Sequence, residues 1–397
     1  MRLWTIMLLV MIILNGTTTL LQAGGGSMDD YESDGGVTYS GIEQSDYELL
    51  PQDKGWAYNE ELRDSLTKSV TGSWFRLDYL NWDIRRPKNT YFGEGVTGII
   101  KPNLPFPAFD RTTAVGFLTQ VPNFNDVSIN NNNGMRASMG IAAGDGEVNG
   151  NIWFLGKNNQ QVHYYDPYSY GGTIGISTLL NGATRTDGAV AIFDTSFNYR
   201  YMTTTMGAEI NYQYGPSTHA EGLQFSPIVG VRYLKFDERV VAHGVDQHDP
   251  STTRNFFLEN NVNNDMLGPQ IGLKTEFVHQ YFTVGLNSKF LLGFNRIGYQ
   301  VKSEQLFVPT DPFTNSEQDR NQVSPVVDLS AYGKFPFGEH FSLVAGYDVM
   351  WIGRVSRASN TFQLNDNGFG NDPSATSVEK LSDIFMYGVT VGGEFRF

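Results

Sequence analysis

Residues 384–397 alternate strictly. Tyr387, Val389, Val391, Gly393, Phe395 and Phe397 share one face, while Gly388, Thr390, Gly392, Glu394 and Arg396 share the other. A period of two predicts a strand with one apolar and one polar side. Taken alone, this stretch fits an edge strand of a soluble sheet as well as the closing strand of a transmembrane barrel. In the barrel, the last strand seals against the first.

The same pattern recurs along the chain. From Gly72 onward it predicts nine earlier strands, over 73–83, 135–143, 149–156, 202–214, 223–237, 267–278, 281–294, 326–335 and 341–354. In the first, Phe75, Leu77 and Tyr79 alternate with Arg76 and Asp78. In the fourth, Met206, Ala208, Ile210, Tyr212 and Tyr214 oppose Gly207, Glu209, Asn211 and Gln213. The connections alternate too. Gly144–Glu147, Gly215–Gly222, His279-Gln280 and Pro336–Glu339 are short and turn-forming. The other five each run roughly twenty-five to fifty residues. Long structureless loops argue against a compact soluble domain. Short turns at one rim and long loops at the other are the pattern of an outer-membrane barrel. The expectation is an all-β antiparallel transmembrane barrel of ten strands, with short periplasmic turns and long external loops. The stretch 189–200 could be an additional strand and would make the count uneven; a barrel of twelve strands is the alternative.

A barrel assignment gives each strand face a solvent. Facing lipid are Ile271, Leu273, Phe277, Phe282, Val284, Leu286, Phe290, Val327, Leu329, Phe341, Leu343 and Val349. The lumen then receives Arg76, Arg232, Lys274, Lys289, Lys334 and Arg396, together with Asp78, Glu209, Glu276, Asp328, Asp348 and Glu394. A Lys or Arg on the lipid side would cost about 2–4 kcal/mol at the midplane, which fixes the direction of the assignment. Structural pairing is the expected role for most of these charges. Closure should bring Arg76 near Glu394, with Asp78 and Arg396 as competing partners. Arg232 should neighbour Lys274 or Glu276 across one ladder. Six charges of each sign in a narrow barrel predict cross-linking and a mostly occluded lumen.

Composition fits this picture. Aromatic residues make up 13% of the 397 residues, Gly numbers 43, and charged residues are 18%. That mix suits strands, tight turns and interfacial aromatic girdles. A net charge of −14 argues against nucleic acid as a partner. With no Cys there is no disulfide, no thiolate metal site and no lipidated cysteine. Residues 1–23 read as a signal peptide: Arg2, an apolar run over 3–14, then Leu21-Gln22-Ala23. The apolar run is short for a bilayer span. Residues 24–71 read as a periplasmic, partly disordered N-terminal segment, with a short helix over 58–69. The barrel domain is 72–397.

Several strands in order carry a family resemblance. These are 74–80 (WFRLDYL), 207–211 (GAEIN), 230–238 (GVRYLKFDE), 268–273 (GPQIGL), 344–351 (VAGYDVMW) and 392–397 (GGEFRF). This set resembles the planctomycetal outer-membrane beta-barrel family described as beta-barrel porins. The resemblance implies an outer-membrane barrel and transfers no catalytic or ligand residue. Phe395 and Phe397 resemble the terminal signal read by the barrel-assembly machinery.

Other clusters carry less. His243, Asp246, His248 and Asp249 could hold a divalent metal or form an Asp/His pair at a barrel mouth. A solvated polar loop explains them more simply, because nothing in the sequence orients them. Asn130–Asn133 and 365–372 are oxygen-rich without EF-hand spacing and read as turns. No Gly-x-Ser-x-Gly is present. The expectation is therefore a protein that is not an enzyme and uses no cofactor or metal. Its partners are outer-membrane lipid, the assembly machinery and small polar solutes. It acts either as a porin-like barrel or as an occluded surface barrel working through its external loops by binding or adhesion.

Overall fold

The computed structural model describes residues 72–87, 92, 106–109, 116–120, 122–165, 172–179, 188–217, 221–249, 252–365 and 372–397. The expected signal peptide, the N-terminal segment with its short helix, and residues 366–371 of the Asn-rich run lie outside the described residues.

Sixteen strands are described: β1 (Trp74–Ile84), β2 (Phe106–Phe109), β3 (Gly116–Gln120), β4 (Asn132–Ala143), β5 (Gly146–Tyr165), β6 (Gly172–Leu179), β7 (Gly188–Phe193), β8 (Ser196–Tyr214), β9 (Gly222–Asp249), β10 (Thr252–His279), β11 (Phe282–Glu304), β12 (Thr314–Phe337), β13 (Phe341–Val355), β14 (Phe362–Asn365), β15 (Ser374–Ser377) and β16 (Ser382–Arg396). Ten of them close into an antiparallel barrel in the ring order β1-β16-β13-β12-β11-β10-β9-β8-β5-β4. Each of the ten strands expected from the sequence overlaps one of these. The seam is β16 on β1, with Trp74 opposite Arg396 and Ile84 opposite Met386. Gly72 N–H donates to the Phe397 carbonyl at 2.9 Å, and Phe397 N–H to that of Ser73 at 3.0 Å. Four short turns share this rim. In the two-residue turn between β4 and β5, Gly144 has φ 61, the left-handed conformation that glycine adopts readily in a tight hairpin turn.

At the opposite rim the structure departs from the expected loops. The connections after β9 and β11 are not long loops. β9 and β10 are each 28 residues long, and β11 and β12 run 23 and 24. A tilted strand crosses a bilayer in about 9–11 residues, so well over half of β9 and β10 stands clear of lipid. The remaining three long connections contribute β2, β3, β6, β7, β14 and β15 to a second sheet. The doubtful stretch 189–200 is divided. Its first part is β7, which pairs with β6 outside the barrel, and its last part begins β8. The barrel count stays at ten.

The long strands invert their chemistry partway along. On β9, Leu223, Phe225, Val229 and Val231 are exposed outward, while Ser226 and Arg232 are buried inward. Beyond Tyr233 the parity is unbroken but the roles exchange. Leu234, Phe236, Val240 and Ala242 are buried inside, and Lys235, Asp237 and Arg239 stand on the outer wall. β10 does the same, with Ile271 and Leu273 outside the lower part, and Leu258 and Val262 inside the upper part. A wall facing lipid wants an apolar exterior; a wall facing water wants a polar exterior and an apolar core. The exchange point marks where the strands leave the membrane.

Candidate functional site: a two-storey lumen

The lower storey, toward the short-turn rim, is polar. Asp78 accepts from Arg76 Nε at 2.7 Å and from Arg136 Nε at 2.9 Å. Arg136 Nη1 lies 3.5 Å from Asp348, which also accepts from the Thr390 hydroxyl. Glu209, 8% exposed, is a second hub. It accepts from Lys289, from Asn151 Nδ2 at 2.6 Å and from Gln270 Nε2 at 3.0 Å, and Arg232 Nε lies 3.4 Å away. Arg232 Nη2 donates to Asp328 at 2.6 Å. Nearer the rim, Lys334 and Arg396 share Glu394, and Lys274 pairs with Glu276 at 3.0 Å. The Tyr332 hydroxyl also donates to Glu276 at 2.6 Å. A buried charge is tolerated only when paired and hydrogen-bonded, and these networks supply the pairs.

All twelve charged positions named from the sequence take part in these contacts, but two expected pairings differ. Arg76 and Glu394 do sit directly opposite one another across the seam. Their side chains instead use the competing partners, Asp78 for Arg76 and Lys334 with Arg396 for Glu394. Arg232 does not neighbour Lys274 or Glu276; its ladder partner on β10 is Gly268. It reaches Glu209 on β8 and crosses the lumen to Asp328 on β12 instead. Two participants were missed. Arg136 alternates with Met135 and Ala137, so the period of two could have placed it inward. Glu147 was assigned to the turn, but it is already in β5, accepting from Trp74 Nε1 at 2.8 Å.

Between the networks lies a cavity of about 500 Å³, reaching the turn residues Gly338 and Glu339 at the rim. Trp82 and Trp153 close its far end, with ring centroids 5.2 Å apart. Each ring lies over an inward glycine of the next strand. A Cβ at Gly207 would come within 2.5 Å of Trp153 Nε1, and Gly388 is equally close to Trp82. A larger side chain at Gly207 would press on the Trp153 ring, and one at Gly388 would press on the β1 backbone as well as on Trp82.

Above the tryptophans the lumen is filled with an apolar core. Barrel residues Phe197, Tyr199, Phe236, Phe256, Val262 and Ile297 meet Phe92, Phe124, Val127 and Ile129 from the connection before β4. Phe362 and Leu364 enter from β14. Phe92 alone packs within 5.2–5.5 Å of Phe197, Phe362 and Phe124. Residues 356–361 cross this core as a strap. Arg357 Nη2 donates to Glu238 Oε1 at 2.6 Å, and its Nη1 donates to the Arg85 carbonyl at 2.8 Å. One guanidinium thus ties β9 to the end of β1, on nearly opposite walls. Burial pushes Arg357 toward losing its proton, but Glu238 and Tyr201 outweigh it and hold it above the ordinary arginine value. Asn260 and Asn264 donate to the Ala358 and Ser356 carbonyls at 2.7 and 2.9 Å.

Of the His/Asp cluster, the side chains of His248 and Asp249 lie outside the described residues. His243 is exposed on the outer wall and packs at 5.3 Å against Phe257, while Asp246 pairs with Arg254 at 3.3 Å. Burial and Arg200 both hold the His243 pKa below its usual value. Among the described residues no group of three or more His, Cys, Asp or Glu is placed to hold a metal. Phe395 and Phe397 are outward, 50% and 64% exposed, and Phe395 lies 5.0 Å from Phe341. Asn132 and Asn133 are used locally: Asn132 caps the Trp82 and Ile129 carbonyls, and Asn133 accepts from Tyr79 and Asn81.

A closed antiparallel barrel with an apolar outer belt and a polar lower lumen defines a transmembrane barrel of the outer-membrane type. The chain belongs to the family described as Putative beta barrel porin-7 (BBP7), whose model matches residues 74–397. The comparison with curated proteins found no match. Among solved structures, it is similar to the outer membrane protease OmpT from Escherichia coli at 8% identity. That match has a TM-score of 0.45 and covers 83% of this chain and 98% of that one. It is also similar to the monoaromatic hydrocarbon channel CymD, at 8% identity and TM-score 0.30, covering 84% and 90%. The Ralstonia pickettii toluene transporter TbuX matches at 8% identity and TM-score 0.23, covering 84% and 93%. Likeness at this level carries no argument about activity.

Proposed function

We propose that this protein is a porin-family barrel of the outer membrane that is shut in the conformation described, with a polar vestibule facing the periplasm. The apolar core and its strap across the upper lumen carry this reading. Small polar solutes would enter the vestibule from the short-turn rim, and passage outward would require the strap to move. Family membership supports the barrel role and a non-enzymatic one. In this reading the N-terminal 23 residues are removed on export, lipid covers the outward apolar belt, and the assembly machinery reads Phe395 and Phe397.

Reconstitution in planar bilayers tests the proposal. The unmodified barrel should show no sustained conductance of the size given by general diffusion porins. Open aqueous channels of that kind belong to about 16–18 strands. Replacing Arg357 with Met should free the strap and produce intermittent openings. A stable, large conductance from the unmodified protein would overturn the closed reading.

A further inference from the structure

Three short barrel strands end among cations that have no acidic partner. β1, β16 and β13 are neighbours in the ring. Their outward apolar runs stop at Tyr79 on β1, Phe385 on β16 and Trp351 on β13. Arg85 and Arg86 directly follow β1, Arg354 is the next-to-last residue of β13, and Lys380 lies just before β16. All four are exposed. Contacts around them join the three strand ends into one ledge. Arg85 N–H donates to the Phe385 carbonyl at 2.8 Å, Val355 pairs with Ser382, and the Ser356 hydroxyl donates to the Lys380 carbonyl at 3.0 Å.

Elsewhere on the outer wall cations are matched. Lys235 and Arg239 on β9, and Arg296 and Lys302 on β11, each have a carboxylate within 4.0 Å. Among the described residues no ion pair reaches Arg85, Arg86, Arg354 or Lys380, and the carboxylates nearby are engaged. Glu379 pairs with Arg320, Asp383 accepts from the Arg354 backbone N–H at 3.4 Å, and Asp83 accepts from the Asn131 N–H at 2.7 Å. Arg86 also spends one nitrogen on the Asn125 carbonyl at 2.9 Å. With Glu379 neutralised, the four cations outnumber Asp83 and Asp383, and the ledge keeps a positive surplus.

Position decides what meets that surplus. Immediately below the ledge, the Trp351 ring lies over Gly353, where a Cβ would come within 2.7 Å of it. The Phe385 and Tyr387 ring centroids are 5.9 Å apart beside it. Aromatic side chains at the edge of an apolar belt sit at headgroup level. The lipid that covers the belt therefore carries its headgroup to the cations. Surplus positive charge favours an anionic headgroup, and a guanidinium fork matches the oxygens of a phosphate.

We infer that this ledge binds the phosphate-bearing headgroup of an anionic lipid, held by Arg85, Arg354 and Lys380, with the acyl chains lying on Phe385 and Trp351. The lipid belongs to the leaflet from which the upper half emerges. The inference rests on the apolar belt and not on whether the lumen is shut.

The test is native mass spectrometry of the folded full chain in a non-ionic detergent, with lipid added. The probes are phosphatidylglycerol, phosphatidylcholine and inorganic phosphate. Phosphatidylglycerol should be retained saturably and phosphatidylcholine much more weakly. Inorganic phosphate at equal concentration should not displace the lipid, because it has no chains to lay on the rings. At about fivefold per cation, Arg354→Gln should weaken retention about fivefold and Arg85→Gln/Arg354→Gln about twentyfold. Arg296→Gln removes a cation that is already paired and should leave retention nearly unchanged. Heat-modifiable migration reports whether the double variant remains folded; if it does not, Lys380→Gln alone should still weaken retention measurably. Equal retention of the two lipids would overturn the inference, as would retention that ignores the ledge substitutions or falls equally with Arg296→Gln. Displacement by inorganic phosphate would overturn it too, since the ledge would then take a free anion. A conducting bilayer would sink the closed-barrel proposal and leave this measurement standing.

Discussion

The lower and upper halves of the barrel are built from the same strands and are opposites in cross-section. Below Tyr233 the exterior is apolar and the lumen carries paired charges around a cavity. Above it the exterior carries Lys235, Asp237, Arg239 and Glu259, and the interior is a packed apolar core. Neither half is more barrel-like by backbone; the ladder from β9 to β10 pairs Gly222 with Val278 and continues to Asp249 with Thr252. The difference lies only in which solvent meets the outer wall. Lipid forces backbone and polar side chains to satisfy themselves inward. Water releases that constraint, and the interior reverts to the hydrophobic core of an ordinary domain.

The largest expected effect comes from emptying the upper core. Phe236→Ala removes a fully buried ring from a packed interior and should cost about 3–5 kcal/mol, read as a lowered urea midpoint for folding into lipid vesicles. Asn151→Ala, facing the lower cavity, should cost much less, because no packed core closes around it. Equal losses would erase the distinction between the halves.

A second experiment moves one charge along the outer wall. Leu286→Arg lies in the apolar belt and should cost about 2–4 kcal/mol in vesicle-folding titrations. Asn263→Arg lies on the outer wall of the upper half and should be near neutral. The boundary is misplaced if both are equally costly.

Deleting Phe397 tests the rim rather than the storeys. Its ring is outward and its backbone closes the seam. Membrane-inserted, heat-modifiable protein should decrease on deletion and be retained in Phe397→Tyr.

The smallest effect is electrostatic. Burial raises the Glu259 pKa, but hydrogen bonds from Arg239 and Asn261 outweigh it and hold the carboxyl below its usual value. A lowered folded-state pKa contributes stability that is present above the unfolded glutamate value and lost as pH falls through the folded one. Because Arg239 is half-exposed beside the buried Glu259, the pair contributes less than about 1 kcal/mol. Glu259→Gln should therefore lose a little stability at pH 7 and almost none at pH 3. A loss that grows on acidification would reverse the sign.

Much of the lower half was legible beforehand. Alternation placed Ile271, Phe290, Leu329 and Val391 outward and Glu209, Lys289 and Glu394 inward, because a strand's side chains can face only two ways and lipid tolerates only one of them. The short turns set the direction of travel, and the seam register of Arg76 against Glu394 followed from closure. Partner choice was not legible. Arg232 could be placed inward but not matched to Asp328, which is 96 residues away on another strand.

The upper half hid for a related reason. Beyond Tyr233 the strands still alternate, but Lys235, Asp237 and Arg239 fall where the lower half has Val229 and Val231, so the hydrophobic pattern breaks as it would in a loop. The sequence by itself determined ten strands, their faces in lipid and twelve of the lumen charges, all of which depend on period and solvent alone. Tertiary structure alone decided that Phe92, Phe124 and Phe362 fill the barrel mouth and that Arg357 ties the strap to Glu238. Those contacts join segments far apart in the chain. No local period records them, and only the closed ring brings them to one place.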